Sequence, residues 1–205
     1  MTILYPLDGG IYVNVTNRCP CSCVFCIRTH SDHILESDSL WFGKDEEPGA
    51  EQIIEEFKKT DLSQYNEIVF CGYGEPLSAM DTVVEVLKFL KEYTDLPVRI
   101  NTNGLSDLLC GREHTALELK GLVHTLSISL NAPTSERFDE VTKNIYPGRA
   151  FDAMLKFAEE AKQAVEKVVF TVVDVISGEE IRQCEKIARD MGIEFRVREY
   201  IDTYQ

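Results

Sequence analysis

Hydrophobic and polar positions along this chain switch repeatedly between two periods. Residues 11–17 (IYVNVTN) read as a strand. Within 50–60, Ile53, Ile54 and Phe57 recur at helical spacing. Residues 67–72 (EIVFCG) again read as a strand. Helix 80–93 follows, with Val83, Val84, Leu87 and Leu90 on one face. The alternation continues with strand 97–102, a short helix at 113–120 and strand 125–131. Two helical stretches, 135–142 and 151–165, are split by Pro147-Gly148. Strand 167–175, helix 178–191 and strand 194–200 complete the pattern. Residues 27–48 are polar and mixed, and read as a long loop.

Six strands joined by helices predict an α/β fold with a parallel sheet and right-handed crossovers. Several strands are continuous apolar runs, as expected when both faces are covered. An open doubly wound sheet and a six-stranded partial barrel both fit. In either, chemistry belongs at the C-terminal ends of the strands. No repeat, linker or low-complexity segment interrupts the 205 residues, so a single domain over 1–205 is expected.

Composition narrows the function. The net charge of −14 argues against nucleic-acid or membrane-surface binding, which needs a basic face. No apolar run reaches the ~18 residues of a membrane span. The N-terminal MTILYPLDGG has neither the basic nor the apolar region of a secretion signal, so a cytoplasmic protein is expected.

Cysteine is the unusual residue. Four of the seven, Cys19, Cys21, Cys23 and Cys26, crowd into one short segment after the first strand. Disulfides between such near neighbours would strain the backbone, so metal or cluster ligation is the better reading. Cys19, Cys23 and Cys26 form Cys-x₃-Cys-x₂-Cys. Three thiolates at this spacing can wrap one face of a [4Fe–4S] cubane and leave one iron open. A zinc knot is the alternative, although structural zinc sites usually use two separated knuckles and no second one exists here. That alternative would make the protein a non-catalytic, zinc-binding interaction module.

The spacing, with Phe25 before the last cysteine, resembles the signature of the radical S-adenosylmethionine (SAM) superfamily. The resemblance implies a partial (β/α)6 TIM-like barrel, with a cluster loop at 18–27. It implies that Cys19, Cys23 and Cys26 hold a [4Fe–4S] cluster and that Phe25 packs near the adenine of SAM. After the second strand, Gly72-Tyr73-Gly74-Glu75-Pro76 resembles the Gly-Gly-Glu element that binds the SAM amino group, with Tyr73 in place of one glycine. After the third, Asn101-Thr102-Asn103-Gly104 resembles the element near the ribose and methionine carboxylate, with Asn101 where many relatives have an acid. Ser129 and Asn131 fall at ribose- or carboxylate-binding positions, and Val172 or Val173 at an adenine-contacting one. Read without the resemblance, Ser127, Ser129 and Asn131 are only one polar strand face.

Several residues stay open. His30 and His33 could pair on one helical turn, but a solvated loop is the plainer reading. Trp41-Phe42 fits a role in docking the long loop onto the core. Asp45-Glu46-Glu47 reads as a solvated loop or helix start. Cys21 breaks the ligand spacing, and Cys71, Cys110 and Cys184 read as small hydrophobes. Asp174 fits the end of its strand. Arg196 and Arg198 share a face and read equally well as an anchor for a substrate carboxylate or phosphate or as a solvated edge.

The resemblance implies an enzyme that reductively cleaves SAM to a 5′-deoxyadenosyl radical and abstracts hydrogen from a substrate. A low-potential flavodoxin or ferredoxin would supply the electron. A site holding so reactive a species should be closed, by the 27–48 loop or by a partner. The small size and the Thr-Asn-Arg-Cys-Pro-Cys and Gly-Tyr-Gly-Glu-Pro-Leu segments also resemble the small TatD-associated radical SAM group. A glycyl-radical-enzyme activase, whose substrate is a partner protein, and a 7-carboxy-7-deazaguanine synthase-like enzyme are further possibilities of this size.

Overall fold

In the computed structural model, residues 2–29, 39–44 and 46–200 are described. Seven strands form one sheet: β1 (Leu4–Leu7), β2 (Gly10–Val13), β3 (Ile68–Phe70), β4 (Val98–Thr102), β5 (Thr125–Ser129), β6 (Lys167–Val173) and β7 (Glu194–Arg198). Their spatial order is their chain order. β1 runs antiparallel to β2, and every later pairing is parallel. A doubly wound sheet reverses its strand order at a switch point. This one never does, so it winds in one direction as a partial barrel, and β1 and β7 do not pair.

The extra strand β1 departs from the sequence reading, which began the sheet at residue 11. It folds back through Asp8 and Gly9, both at positive φ (49° and 78°). Asp-Gly is the pair that suits a two-residue hairpin turn of this hand. β2 is also shorter than expected. From Asn14 the chain leaves the sheet, because its polar groups bond elsewhere, as described below.

Side-chain parity sorts the sheet into two faces. Ile11, Val13, Ile68, Phe70, Val98, Ile100, Leu126, Ile128, Val168, Phe170 and Val172 are buried in one core with the helices. Those helices are α1 (Ala50–Lys59), α2 (Met80–Tyr93), α3 (Ser106–Cys110), α4 (Ser135–Thr142), α5 (Ala150–Ala161) and α6 (Gly178–Asp190). On α2 the buried face is Val83, Val86, Leu87 and Leu90, so Val86 takes the place expected of Val84. α6 starts in a reciprocal cap: Ser177 Oγ accepts from the Glu180 amide at 3.2 Å, and the Ser177 amide donates to Glu180 Oε2 at 2.7 Å. α3 was not foreseen. The stretch read as a helix at 113–120 is a 3₁₀ turn, Thr115–Leu119.

The opposite face is the barrel interior, and it is mixed: Tyr12 and Val69 join Tyr5, Leu40 and Tyr73 in a small buried cluster, and polar residues follow toward β7. Arg99 lies there, paired to Glu67 through both nitrogens at 3.1 and 2.7 Å and donating to Asn101 Oδ1 at 2.8 Å. Parallel strands place all their C-terminal ends at one rim, where the loops after β2 to β6 meet the end of β7.

Candidate active site

The segment after β2 carries the cysteines and is held from three sides. Ser22 and Val24 amides donate to Thr142 and Val141 carbonyls at 2.9 and 3.0 Å, which stitches the loop to the end of α4. Arg28 donates to the Cys21 carbonyl at 2.8 Å and to the Asn17 and Tyr73 carbonyls at 3.4 Å each. On the third side a strap, residues 39–44 and 46–47, lies along Asn14–Arg18. Asn14 Nδ2 donates to the Leu40 carbonyl at 2.7 Å, and Asn17 exchanges two bonds with Phe42. Glu47 accepts from Thr16 Oγ1 at 2.7 Å, the Asn17 amide at 2.9 Å and Arg18 Nε at 3.1 Å. These donors draw its carboxyl below the ordinary range against the opposing effect of burial. Glu47 is therefore a clamp and not part of a solvated acidic run. Phe42 is buried, while Trp41 packs edge-on against Tyr73 at 5.1 Å. His30 and His33 lie outside the described residues.

The loop after β3 lies directly on this segment. The Glu75 amide donates to the Arg18 carbonyl at 2.8 Å. A Cβ on Gly74 would stand 2.1 Å from the Thr16 carbonyl oxygen and 2.7 Å from that of Arg18. Only glycine permits this approach. Gly72 is similarly tight against the Asn14 side chain.

Glu75 joins the second loop to the third. Its Oε1 accepts from the Leu77 amide at 3.1 Å and Thr102 Oγ1 at 2.7 Å, and its Oε2 from the Asn103 amide at 2.7 Å. Burial, then the charge of Cys19, push its carboxyl up to about 7, against the pull of those donors. Asn103 Nδ2 faces Cys21 Sγ at 3.8 Å.

The four crowded cysteines are free thiols. A side-chain hydrogen bond with Cys21 draws Cys19 down to about 6, against burial. Bonds with Cys19 and Cys23, together with burial, push Cys21 up. Burial raises Cys26 as well. Among the described residues, no three His, Cys, Asp or Glu side chains are grouped so as to hold a single metal ion.

These loops enclose a cleft of about 240 Å³ at the rim of the barrel. Cys19, Cys23 and Cys26 line it, with Phe25, Gly72, Tyr73, Gly74, Glu75, Asn101, Asn103, Ser129 and Asn131. Val172 does not. It is fully buried among the helices, and its neighbour Val173 faces the cleft, because the parity of β6 turns the two to opposite sides. Asp174 stands beyond the strand, accepting from the Tyr200 amide at 2.6 Å. Cys184 is buried as expected, and Cys71 packs against the Tyr5, Tyr12 and Val69 cluster as a small hydrophobe while also lining the cleft. Thr102, Phe138, Thr142, Arg198 and Tyr200 also line the cleft. Of these, Thr102 carried a sequence signal as part of Asn101-Thr102-Asn103-Gly104, and Arg198 through its spacing from Arg196; Phe138, Thr142 and Tyr200 carried none. The clamping roles of Glu47 and Arg28 had none, since each acts on a segment distant in the chain.

Comparison with known proteins agrees with this fold. The Radical SAM superfamily model matches residues 13–191, and the chain belongs to that superfamily. Its members use a [4Fe–4S] cluster and S-adenosylmethionine. A GTP 3′,8-cyclase of Listeria welshimeri is 26% identical over 194 residues, 93% of this chain and 54% of the relative. A probable dual-specificity RNA methyltransferase RlmN of Pseudothermotoga lettingae is 27% identical over 131 residues, 60% of this chain and 34% of the relative. The chain thus spans about half, or less, of these relatives. The crystal structure of Streptococcus suis SuiB bound to its precursor peptide SuiA superposes with a TM-score of 0.70 at 16% identity, covering 97% of this chain and 41% of that one. No helix among the described residues is long and apolar enough to cross a membrane.

Proposed function

We propose that this protein is a radical SAM enzyme in which Cys19, Cys23 and Cys26 hold the [4Fe–4S] cluster and the remaining rim binds SAM. The observation that carries the reading is the convergence of the three thiols with the ends of β3, β4, β5 and β6 on one cleft. The donor set fits the group: three free, half-buried cysteines on one loop, one of them already inclined to the thiolate that cluster ligation requires. When bound, the cluster supplies the electron that cleaves SAM to a 5′-deoxyadenosyl radical.

The chain's own part is positioning and exclusion of water. Arg28, the end of α4 and the strap fix the cysteine loop. Phe25 and Val173 offer apolar surface for the adenine. Gly72, Tyr73 and Gly74 present backbone to the amino acid end of SAM, and Glu75 keeps the second and third loops in register beside it. Asn101, Asn103, Ser129 and Asn131 offer hydrogen bonds to ribose and carboxylate. Cys21, which lines the same cleft and hydrogen-bonds with the Cys19 and Cys23 thiols, is left out of the ligand set because it breaks the spacing. A low-potential flavodoxin or ferredoxin would deliver the electron, and the small TatD-associated group is the subfamily we favour. The reading places the protein in the cytoplasm.

Anaerobic reconstitution tests this. We expect about four irons per chain, and 5′-deoxyadenosine on addition of dithionite and SAM. Both should be lost in Cys23→Ala and kept in Cys21→Ala. Zinc in place of iron, or a fully loaded cluster that never cleaves SAM, would refute it.

A further inference from the structure

Arg198 ends β7, in register with Val173 across the β6–β7 pair. That register turns its side chain to the barrel interior, and it lines the same cleft as the cysteines. Arg196 lies two residues earlier on the same face, in register with Thr171. The electrostatic influence of Arg198 reaches Cys71 at the end of β3, on the far wall.

Neither arginine has a carboxylate partner among the described residues. Arg149 and Arg189 also lack an ion pair among the described residues, but neither lines the cleft. Arg18, Arg99, Arg112, Arg137 and Arg182 all form ion pairs. Arg28 is engaged by three backbone carbonyls. Among the described residues, the one carboxylate lining the cleft, Glu75, is committed on both oxygens to protein donors. Arg198 therefore brings to the cleft mouth an exposed guanidinium with no ion-pair partner among the described residues. Asn131 stands nearby at the rim, 4% exposed and held at φ 53°, a left-handed conformation that asparagine tolerates better than most residues.

The geometry points to Arg198, supported by Arg196, as the anchor for an oxyanion group, a carboxylate or a phosphate, on the substrate. A planar guanidinium grips either in a two-point fork. The anchor sits at the opposite end of the strand order from the cysteine loop, with the SAM-facing residues between them. This inference rests on the proposed function for what else occupies the cleft, and takes the substrate to be anionic at the end away from the cluster. The same chemistry has a second source, the methionine carboxylate of SAM itself.

The test is calorimetry on the full chain, reconstituted anaerobically and saturated with SAM, using inorganic phosphate and succinate as probes. One or both should bind wild type in the millimolar range or tighter. Arg198→Gln should weaken that binding about tenfold or more, the loss of a charge-assisted pair. Arg198→Lys, which keeps the charge without the fork, should fall between. Iron content on each sample confirms that a variant is folded and loaded. Absence of probe binding to wild type, or equal binding in Arg198→Gln, would overturn the inference. So would a tenfold loss of SAM affinity in Arg198→Gln with probe binding unchanged, since the guanidinium would then serve SAM. Failure of the radical reading shows separately, as missing iron or missing 5′-deoxyadenosine, and the probe titration does not depend on cleavage.

Discussion

Glu75 shows how a single residue carries two demands at this site. Its carboxylate satisfies three donors from two loops, and that bonding fixes the cleft wall. Burial makes the same group reluctant to ionise. The consequence is a stability that depends on pH. A carboxyl that titrates near about 7 when folded and near ~4.3 when unfolded makes the folded state hold the extra proton between those limits. Its contribution to stability is thus complete below ~4.3 and declines as pH rises through the folded value. The Cys19 thiol, drawn down to about 6, ionises within the same window and adds a slope of the opposite sign in both proteins, so the comparison is made against Glu75→Gln. Urea midpoints of the cluster-free protein across this range should therefore fall with rising pH in wild type relative to Glu75→Gln. A wild type to Gln difference that stays constant across the range would show that Glu75 does not titrate there. Sequence alone placed Glu75 at a strand end beside Gly74. It gave no hint that Thr102 and Asn103 would share its oxygens, because those partners lie 27 and 28 residues away.

At the scale of elements, periodicity read well wherever one face is buried and the other is not. Helices 80–93 and 135–142 match α2 and α4 at both ends, since each pairs an apolar stripe with charged neighbours. The misses have identifiable causes. β1 was overlooked although Asp8-Gly9 marks its turn, because Pro6 and a four-residue length weaken the strand signal. The expected strand at 11–17 ends at Val13 because Asn14, Thr16 and Asn17 serve the strap instead of the sheet. Val172 and Val173 are both candidates in the sequence because, in an apolar run such as KVVFTVV, the inward face cannot be told from hydrophobicity; parity settles it against Val172. Parity makes a sharp prediction. Phe170→Ala, on the helix-facing side and fully buried, should cost about 3–5 kcal/mol in chemical denaturation. Val173→Ala, at the cleft, should cost clearly less and should instead weaken SAM binding. Equal losses of stability from the two substitutions would contradict the assigned faces.

Charge acts on the molecule as a whole. With a net charge of −14, the compact state repels itself more than the unfolded chain does. Most ion pairs are surface pairs worth little each, such as Lys58–Glu55 and Lys186–Asp190. Raising the ionic strength shortens the Debye length from ~30 Å at 0.01 M to ~10 Å at 0.1 M, which should relieve more repulsion than it weakens attraction. The thermal midpoint of the cluster-free protein should therefore rise over that interval. A midpoint that falls with added sodium chloride would mean that the ion pairs matter more than the net charge.

The order of the strands also bears on how the molecule comes into being. Each strand docks beside the one made just before it, although Ile11 of β2 has to wait for Ile68 of β3. Pairings across such crossovers are non-local and close more slowly than a hairpin like β1–β2. During synthesis the sheet can grow at one edge, unit by unit, as chain leaves the ribosome. Cys19 to Cys26 emerge first and Arg198 last. The cleft is then assembled from one side to the other in the order in which its residues are translated, and its final wall is added only when nearly all of the described chain is in place.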